Sequence, residues 1–366
     1  MSDQSYMARA LELAYRGRFT TMPNPNVGCI LVRNGHIVGE GYHLRAGEPH
    51  AEINALRIAG DKSRGATAYL TLEPCSYYGR TPPCCDALIA AGISHVFIAM
   101  KDPNPQVSGH GLSRLQQAGV TVSYGLMMSE AERLNRGFLK RMRSGMPWVQ
   151  LKLGCSLDGR TAMFNGESKW ITSPESRRDV QRLRAQSTAI LSTGATILAD
   201  NPALTVRYEE LDLSIQDIYP KNILRQPIRI IIDTQHRITT AHRVIYQPGE
   251  TWLIRNSFDT NPWPNVVKQL LLPYNNGHLH LRSMLQYCAK KEINSILVEA
   301  GSKFSGALLQ AKMVDELIVY ISPKLIGDTG FGLCQLKGLK KLSDVPVLKF
   351  TDIITLGPDI RVTLKP

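Results

Sequence analysis

Three residues able to bind a metal stand far apart in this chain, and any fold it adopts is constrained by the need to bring them together. They are His50, which opens His50-Ala51-Glu52, Cys75 after Pro74, and Cys84 after Pro83. Catalytic zinc takes three N or S ligands and keeps one position for water, a number this set supplies. Hydrophobic spacing puts His50 at the start of a helix running to Ala59, and Cys84 at the start of another running to Ala91. Cys75 leaves a strand read over 68–72. Two helix N-termini meeting one sheet edge would bring the three ligands together, and a helix N-terminus favours thiolate over thiol.

Glu52 stands two residues from His50 and is free to act as general acid and base. Zinc-dependent base deaminases divide the labour in this way, with the signature His-x-Glu followed by Pro-Cys-x-x-Cys. Here eight residues, 76–83, separate the cysteines. A lone His-x-Glu is usually an accident and a lone cysteine pair is usually buried packing. The elements together, in this order, point to a metal site. A structural zinc would need a fourth ligand, and Cys85 is the adjacent candidate, although on a helix it points about 100° away from Cys84.

A length of 366 residues exceeds what one core usually serves, so two domains are expected. In both halves strands alternate with helices, an α/β pattern with helices on both faces of a sheet. In the first half a helix is read over 5–17, a hairpin around Asn34-Gly35, a strand over 96–100 and a helix over 111–118. Periodicity breaks around 141–147 and a new strand begins at Trp148, which sets the expected domains at 1–145 and 146–366. The second half reads as strands at 189–192, 228–232, 251–254, 295–298 and 316–321, with helices near 175–186 and 304–311; 207–226 reads as a loop insertion.

Seven scattered cysteines do not suggest a disulfide framework. The net charge of +12 suits an anionic partner, either nucleic acid or a small phosphorylated molecule. Much of the excess falls in 131–184, with twelve Lys or Arg against five Asp or Glu. No apolar run approaches the ~20 residues that span a bilayer, and the opening residues lack a signal-peptide pattern, so a cytoplasmic protein without a membrane partner is expected.

In the second half the strand Ile296-Leu297-Val298 runs through Glu299-Ala300-Gly301 into a helix, a turn whose backbone N–H groups can hold a phosphate. No G-x-G-x-x-G follows an early strand there, so a Rossmann dinucleotide fold is not indicated.

His50-Ala51-Glu52, Glu73-Pro74-Cys75-Ser76, Gly79-Arg80-Thr81-Pro82-Pro83-Cys84 and the loop Pro23 to Cys29 together resemble the bifunctional riboflavin-biosynthesis deaminase-reductases. So do Ser156 to Ala162, Trp170-Ile171-Thr172, Ala199 to Arg207 and Val298-Glu299-Ala300-Gly301, so the resemblance runs through essentially the whole chain. It implies a cytidine-deaminase-like three-layer α/β/α domain with one zinc ion, then a dihydrofolate-reductase-like α/β domain that binds NADPH. The implied reactions are deamination of 2,5-diamino-6-(5-phosphoribosylamino)pyrimidin-4(3H)-one and then reduction of the ribosyl group of 5-amino-6-(5-phosphoribosylamino)uracil to ribityl. It also implies that the loop beginning at Pro23 borders the first substrate pocket, with Asn24 or Arg80 as a phosphate contact.

By motif position the resemblance assigns cofactor contacts to Gly154, Trp170, Thr196, Asp200, Thr234 and the run Gly301, Ser302, Lys303, Phe304, Ser305, Gly306 and Ala307. It assigns substrate contacts to Ser168, Arg184, Leu204, Arg207 and Glu299. A guanidinium can pair bidentately with phosphate, which suits Arg184 and Arg207. Family members more usually have Val-Glu-Gly-Gly where this chain has Ala300, which bears on the turn geometry because alanine tolerates positive φ less than glycine. Lys152, Asp200 and Glu299 are candidate polar participants in the reduction. The partners expected are a phosphorylated pyrimidine and a second copy of the chain, joined through the reductase domain, with no nucleic acid. Two readings compete: a nucleic-acid deaminase with a basic module, and a non-catalytic, zinc-stabilised binding protein.

Overall fold

The computed structural model describes residues 2–78, 82–104, 108–275 and 278–366, and the chain divides into two compact units, Met1–Gly145 and Met146–Pro366. Gly145 ends the last helix of the first unit in the left-handed region (φ 66°) while its N–H closes onto Arg141 O, a helix stop that glycine adopts without strain.

The first unit runs α1 (Asp3–Arg16), β1 (Gly28–Arg33), β2 (His36–Tyr42), α2 (Ala51–Ala59), β3 (Thr67–Leu70), α3 (Cys84–Ala90), β4 (His95–Ile98), α4 (His110–Gln117), β5 (Thr121–Tyr124), α5 (Met128–Leu134) and α6 (Arg136–Ser144). Asn34 and Gly35, both at positive φ, make the tight turn between β1 and β2. The sheet order is β2-β1-β3-β4-β5; β1 is antiparallel to both neighbours, and β3, β4 and β5 are parallel. Side chains alternate across it. Cys29, Leu31, Ala68 and Leu70 pack with α2, α3 and α4, whereas Ile30, Val32 and Tyr69 pack with α1, α5 and α6. The unit is therefore a three-layer α/β/α sandwich.

The second unit runs β6 (Trp148–Ser156), β7 (Arg160–Ala162), α7 (Pro174–Gln186), β8 (Ala189–Thr193), α8 (Gly194–Asp200), α9 (Leu213–Gln216), β9 (Ile228–Ile232), β10 (Thr251–Arg255), β11 (Val267–Leu271), β12 (Tyr274–Asn275), β13 (His278–Leu279), α10 (Leu281–Lys290), β14 (Ser295–Val298), α11 (Ser302–Gln310), β15 (Glu316–Ser322), β16 (Phe331–Gly332), β17 (Lys349–Leu356) and β18 (Asp359–Lys365). Nine strands form one sheet, β11-β10-β9-β8-β14-β6-β15-β18-β17, parallel as far as β15 and antiparallel in its last two pairings. Because six of the eight pairings are parallel, the carboxyl ends of seven strands lie along one edge, where ligands of open α/β sheets bind. Val149, Leu151 and Leu153 face α10 and α11, while Ile190, Ile231 and Leu297 face α7 and α8. The segment expected as a loop insertion is irregular apart from the four-residue α9 and short 3-10 turns, and Leu211 and Ile215 anchor it.

Gly39 and Gly41 of β2 let α2 lie directly on the sheet: a Cβ would fall 2.3 Å from Ala55 O at the first and 2.2 Å from Ala51 O at the second. Gly41→Ala is therefore expected to destabilise the first unit by ~1–3 kcal/mol, an overpacking cost. Calorimetry of the full chain would show one of its two transitions lowered and the other unmoved; if neither moves, this close approach is not a packing requirement.

Candidate active sites

In the first unit His50 Nδ1, Cys75 Sγ and Cys84 Sγ all lie within 4.8 Å of one another. His50 is the N-cap of α2, Cys75 follows the end of β3, and Cys84 is the first residue of α3. His50 Nδ1 is 3.3 Å from Cys84 Sγ and 3.7 Å from Cys75 Sγ. Cys75 also accepts the backbone N–H of Cys84 at 3.3 Å, so the first N–H of α3 stabilises the Cys75 thiolate rather than that of Cys84 itself. A hydrogen bond from the Cys84 thiol, opposed by burial and helped by His50, lowers the Cys75 pKa to about 4. The same bond, together with burial, raises that of Cys84. Two sulfurs and an imidazole nitrogen this close together suit a shared divalent cation, which binds thiolates in place of their protons.

Glu52 is 3% exposed and burial raises its pKa; its Oε2 is buried with no hydrogen-bond partner. Such an atom needs a ligand or a proton. Three N/S donors beside an unsatisfied carboxylate fit a catalytic zinc ion. Cys85 is turned away, its thiol directed at Pro74 O (3.4 Å) and Gly111 O (3.7 Å), and is not in the cluster.

Two further features hold this site. The Glu73 carboxylate, 3% exposed, accepts the backbone N–H groups of Asp102 (3.2 Å), Gly109 (3.1 Å), Gly111 (3.0 Å) and Leu112 (3.4 Å), tying the segment that bears Cys75 to the start of α4. Asn24 Nδ2 lies 3.0 Å from His43 Nε2, and the His43 ring meets that of His50 edge-on at 5.3 Å. No motif in the sequence pointed to His43. Arg80 lies outside the described residues.

The second unit has a cavity of about 960 Å³ along the carboxyl ends of β9, β8, β14, β6 and β15. Of the expected cofactor contacts, Gly154, Trp170, Thr196, Asp200, Thr234, Gly301, Ser302, Lys303, Phe304 and Ala307 line it. Ser305 and Gly306 do not. Ser305 is buried with its hydroxyl on Ala300 O and Gly301 O, and a Cβ at Gly306 would fall 1.9 Å from Gln335 O, so both serve packing. Gly301 has φ −71° and Ala300 is not among the positive-φ residues, so the turn needs no second glycine.

All five expected substrate contacts, Ser168, Arg184, Leu204, Arg207 and Glu299, line the cavity. The arginines differ from expectation. Arg184 Nε and Nη2 meet Glu299 Oε1 and Oε2 at 2.7 and 3.0 Å, and its Nη1 donates to Thr205 O at 2.9 Å. Its fork is thus filled by carboxylate rather than open to phosphate. Burial pulls the Arg184 pKa down, but Glu299 raises it further; burial raises that of Glu299, and Arg184 and Lys152 more than reverse this. Arg207 is paired with Glu210 at the rim (Nη2 to Oε2, 2.7 Å). Burial lowers the pKa of Lys152, beside this pair. Leu204 is held at φ +51° while almost fully buried, a strained backbone of the kind that clusters at ligand sites.

Eight Lys or Arg side chains line the cavity against three Asp or Glu, so it suits a polyanion. Lys169, Arg177, Arg237 and Arg243 are among them, and no motif in the sequence marked these four.

Residues 147–362 match the family model described as the RibD C-terminal domain, and residues 1–100 match the cytidine and deoxycytidylate deaminase zinc-binding region. The riboflavin biosynthesis protein RibD of Escherichia coli is 65% identical over 364 residues, covering 100% of this chain and 99% of that protein. Its namesake from Bacillus amyloliquefaciens is 40% identical, covering 100% of this chain and 96% of the relative. Among solved structures, Acinetobacter baumannii RibD superposes with a TM-score of 0.91 at 41% identity, covering 100% of this chain and 98% of that one. A Thermotoga maritima diaminohydroxyphosphoribosylaminopyrimidine deaminase/5-amino-6-(5-phosphoribosylamino)uracil reductase does so at 0.87 and 33%, covering 99% and 98%.

Removing one partner of a buried ion pair strands the other, at a cost of about 3–5 kcal/mol. Glu299→Ala should therefore lower stability in urea unfolding far more than the double change Arg184→Met with Glu299→Leu. Equal losses would show that the pair's desolvation is not the governing cost.

Proposed function

The chain belongs to the riboflavin biosynthesis protein RibD family and is a bifunctional enzyme with a zinc-binding deaminase domain and an NADPH-using reductase domain, and on that premise we propose what each part does. We assign the deaminase to residues 1–145 and the reductase to 146–366. The first removes an amino group from 2,5-diamino-6-(5-phosphoribosylamino)pyrimidin-4(3H)-one, and the second reduces the ribosyl group of the product, 5-amino-6-(5-phosphoribosylamino)uracil, to ribityl. The Thermotoga relative's title names this pair of activities. The observation that carries the reading is the unpartnered, buried Glu52 oxygen beside His50, Cys75 and Cys84.

When bound by those three ligands, zinc supplies a water activated for attack on the ring carbon that bears the amino group. Glu52 takes a proton from that water and delivers it to the departing amine, so that water and amine become carbonyl and ammonia. Burial, which raises its pKa, suits it to hold the proton between the two steps. His43, braced by Asn24 and packed on His50, forms a polar wall beside this centre.

In the reductase, NADPH supplies hydride to C1′ of the ring-opened sugar. Opening moves the amine proton to the ring oxygen, and after hydride addition one further proton completes the amine. Lys152, whose pKa burial lowers, is the cation suited to give it, with the Arg184–Glu299 pair fixing the floor of the site. The start of α11, Gly301 to Lys303, presents backbone N–H groups to the pyrophosphate.

We place the protein in the cytoplasm; no described helix is long and apolar enough to cross a membrane. We also propose a homodimer formed through β17. This eight-residue edge strand, with its approach, leaves Val347 82%, Phe350 64% and Ile353 60% exposed, and long apolar edges of this kind are normally covered. Light scattering should give twice the chain mass for the wild type and less for Phe350→Asp with Ile353→Asp; a monomeric wild type would remove the proposal.

Incubating the full chain with the diaminopyrimidinone substrate should release ammonia without NADPH and then oxidise NADPH once it is added. Glu52→Gln should abolish ammonia release, a loss of about 10³-fold or more, while keeping one zinc per chain by elemental analysis and full reduction of the deaminated substrate. Ammonia release by a zinc-loaded Glu52→Gln enzyme would overturn the role given to Glu52.

A further inference from the structure

We propose that Arg237 and Arg243 hold the 2′-phosphate of NADPH and thereby select it over NADH. The inference rests on the reductase reading above and deepens it. Strand order fixes how an extended dinucleotide can lie along the cavity. The carboxyl ends run β9, β8, β14, β6; Thr234, Thr196 and Gly301 lie beyond the first three, and Gly154 lies within β6, two residues before its end. Lys152 and Glu299, the groups suited to the reduction, are on β6 and just past β14, so the nicotinamide lies at that end. The pyrophosphate then meets the start of α11. Strands are spaced ~4.8 Å apart, so the end of β9 lies about 10 Å from the end of β14 on the side away from Lys152, which leaves it for the adenosine half of the dinucleotide.

Arg237 and Arg243 lie on the segment that follows β9, and both line the cavity there. Their backbones are fixed from inside the protein. Arg237 N donates to Asp233 Oδ1 at 2.9 Å, and the other oxygen of Asp233 accepts Arg255 Nη2 at 2.9 Å and Ile238 N at 3.1 Å. Asp233 and Arg255 are 1% and 0% exposed at their side chains, a fully buried pair. Arg243 N donates to Asn201 Oδ1 at 2.9 Å, and Asn201 is also a cavity residue.

The other cavity arginines are already engaged: Arg184 with Glu299, Arg207 with Glu210, and Arg177 with Thr172 O at 2.8 Å and the Trp170 ring. Among the described residues, the Arg237 and Arg243 side chains have no carboxylate or carbonyl partner. Two free guanidinium forks on anchored backbones are suited to a phosphate dianion, which accepts bidentate pairing. NADH presents only a hydroxyl at that position.

The test is calorimetric binding to the full chain, with NADP⁺, NAD⁺, 2′,5′-ADP, 5′-AMP and ribose 5-phosphate as probes. The wild type should bind NADP⁺ over NAD⁺ and 2′,5′-ADP over 5′-AMP. Arg237→Gln with Arg243→Gln should weaken 2′,5′-ADP about 30-fold and leave 5′-AMP alone, with each single change giving part of the loss. Both side chains are exposed, so the variants should fold. A double variant that keeps the preference for 2′,5′-ADP overturns the proposal. So does a loss that falls equally on 5′-AMP, or on ribose 5-phosphate instead, which would assign the arginines to the pyrophosphate side or to the sugar substrate. A wild type that binds none of the nucleotides would mean that the reductase reading itself had failed.

Discussion

Burying a carboxylate costs several kcal/mol unless its oxygens are satisfied, and both sites are built around carboxylates that are. Glu73 gathers four backbone N–H groups and so fixes the turn from which Cys75 projects. Glu299 fills the fork of Arg184, and the pair forms a rigid floor beside Lys152. Asp233 does the same service for the segment after β9, with Arg255 as its cation. All three lie just beyond the carboxyl end of a strand, where the ladder of backbone hydrogen bonds stops and loose N–H groups need an acceptor. The residues that order those strand ends also determine where a ligand can sit.

Charge then decides what each site accepts. In the reductase cavity the cations outnumber the anions, yet four of the eight are already engaged by protein groups and act as walls rather than hooks. Counting positive residues along the chain therefore overstates the capacity for anions. The stretch 131–184 illustrates this: its Arg143 is spent on Glu132, Arg182 on Asp179, and Arg184 on Glu299.

The metal centre was legible in the sequence because zinc restricts its ligands to few residue types and each fell at an element boundary that periodicity could locate. Most of the parallel strands were legible too, since strands covered on both faces read as apolar runs such as Ile228 to Ile232. Helix α10 was missed although Leu281, Met284, Leu285 and Cys288 carry the spacing of a buried face. Strands β17 and β18 were missed for a physical reason, since β17 is exposed along most of its length and shows no alternation. Arg237 and Arg243 could not be found from spacing, because their shared cavity depends on Asn201 and Asp233, which are distant from at least one of them in the chain. The partner of Arg184 was hidden for a related reason: Glu299, which fills its fork, is 115 positions away.

Glu52 and Glu73 stand in the same unit, on the same side of the sheet, and both are 3% exposed. Their roles are opposite because their surroundings are. Both oxygens of Glu73 accept backbone N–H groups, so its carboxylate is tied to the chain around it. Glu52 keeps one buried oxygen without a partner, and burial raises its pKa, so it can take up a proton and release it. A residue that is to shuttle protons must be left incompletely satisfied, at a cost to folding, while its neighbours are satisfied in full.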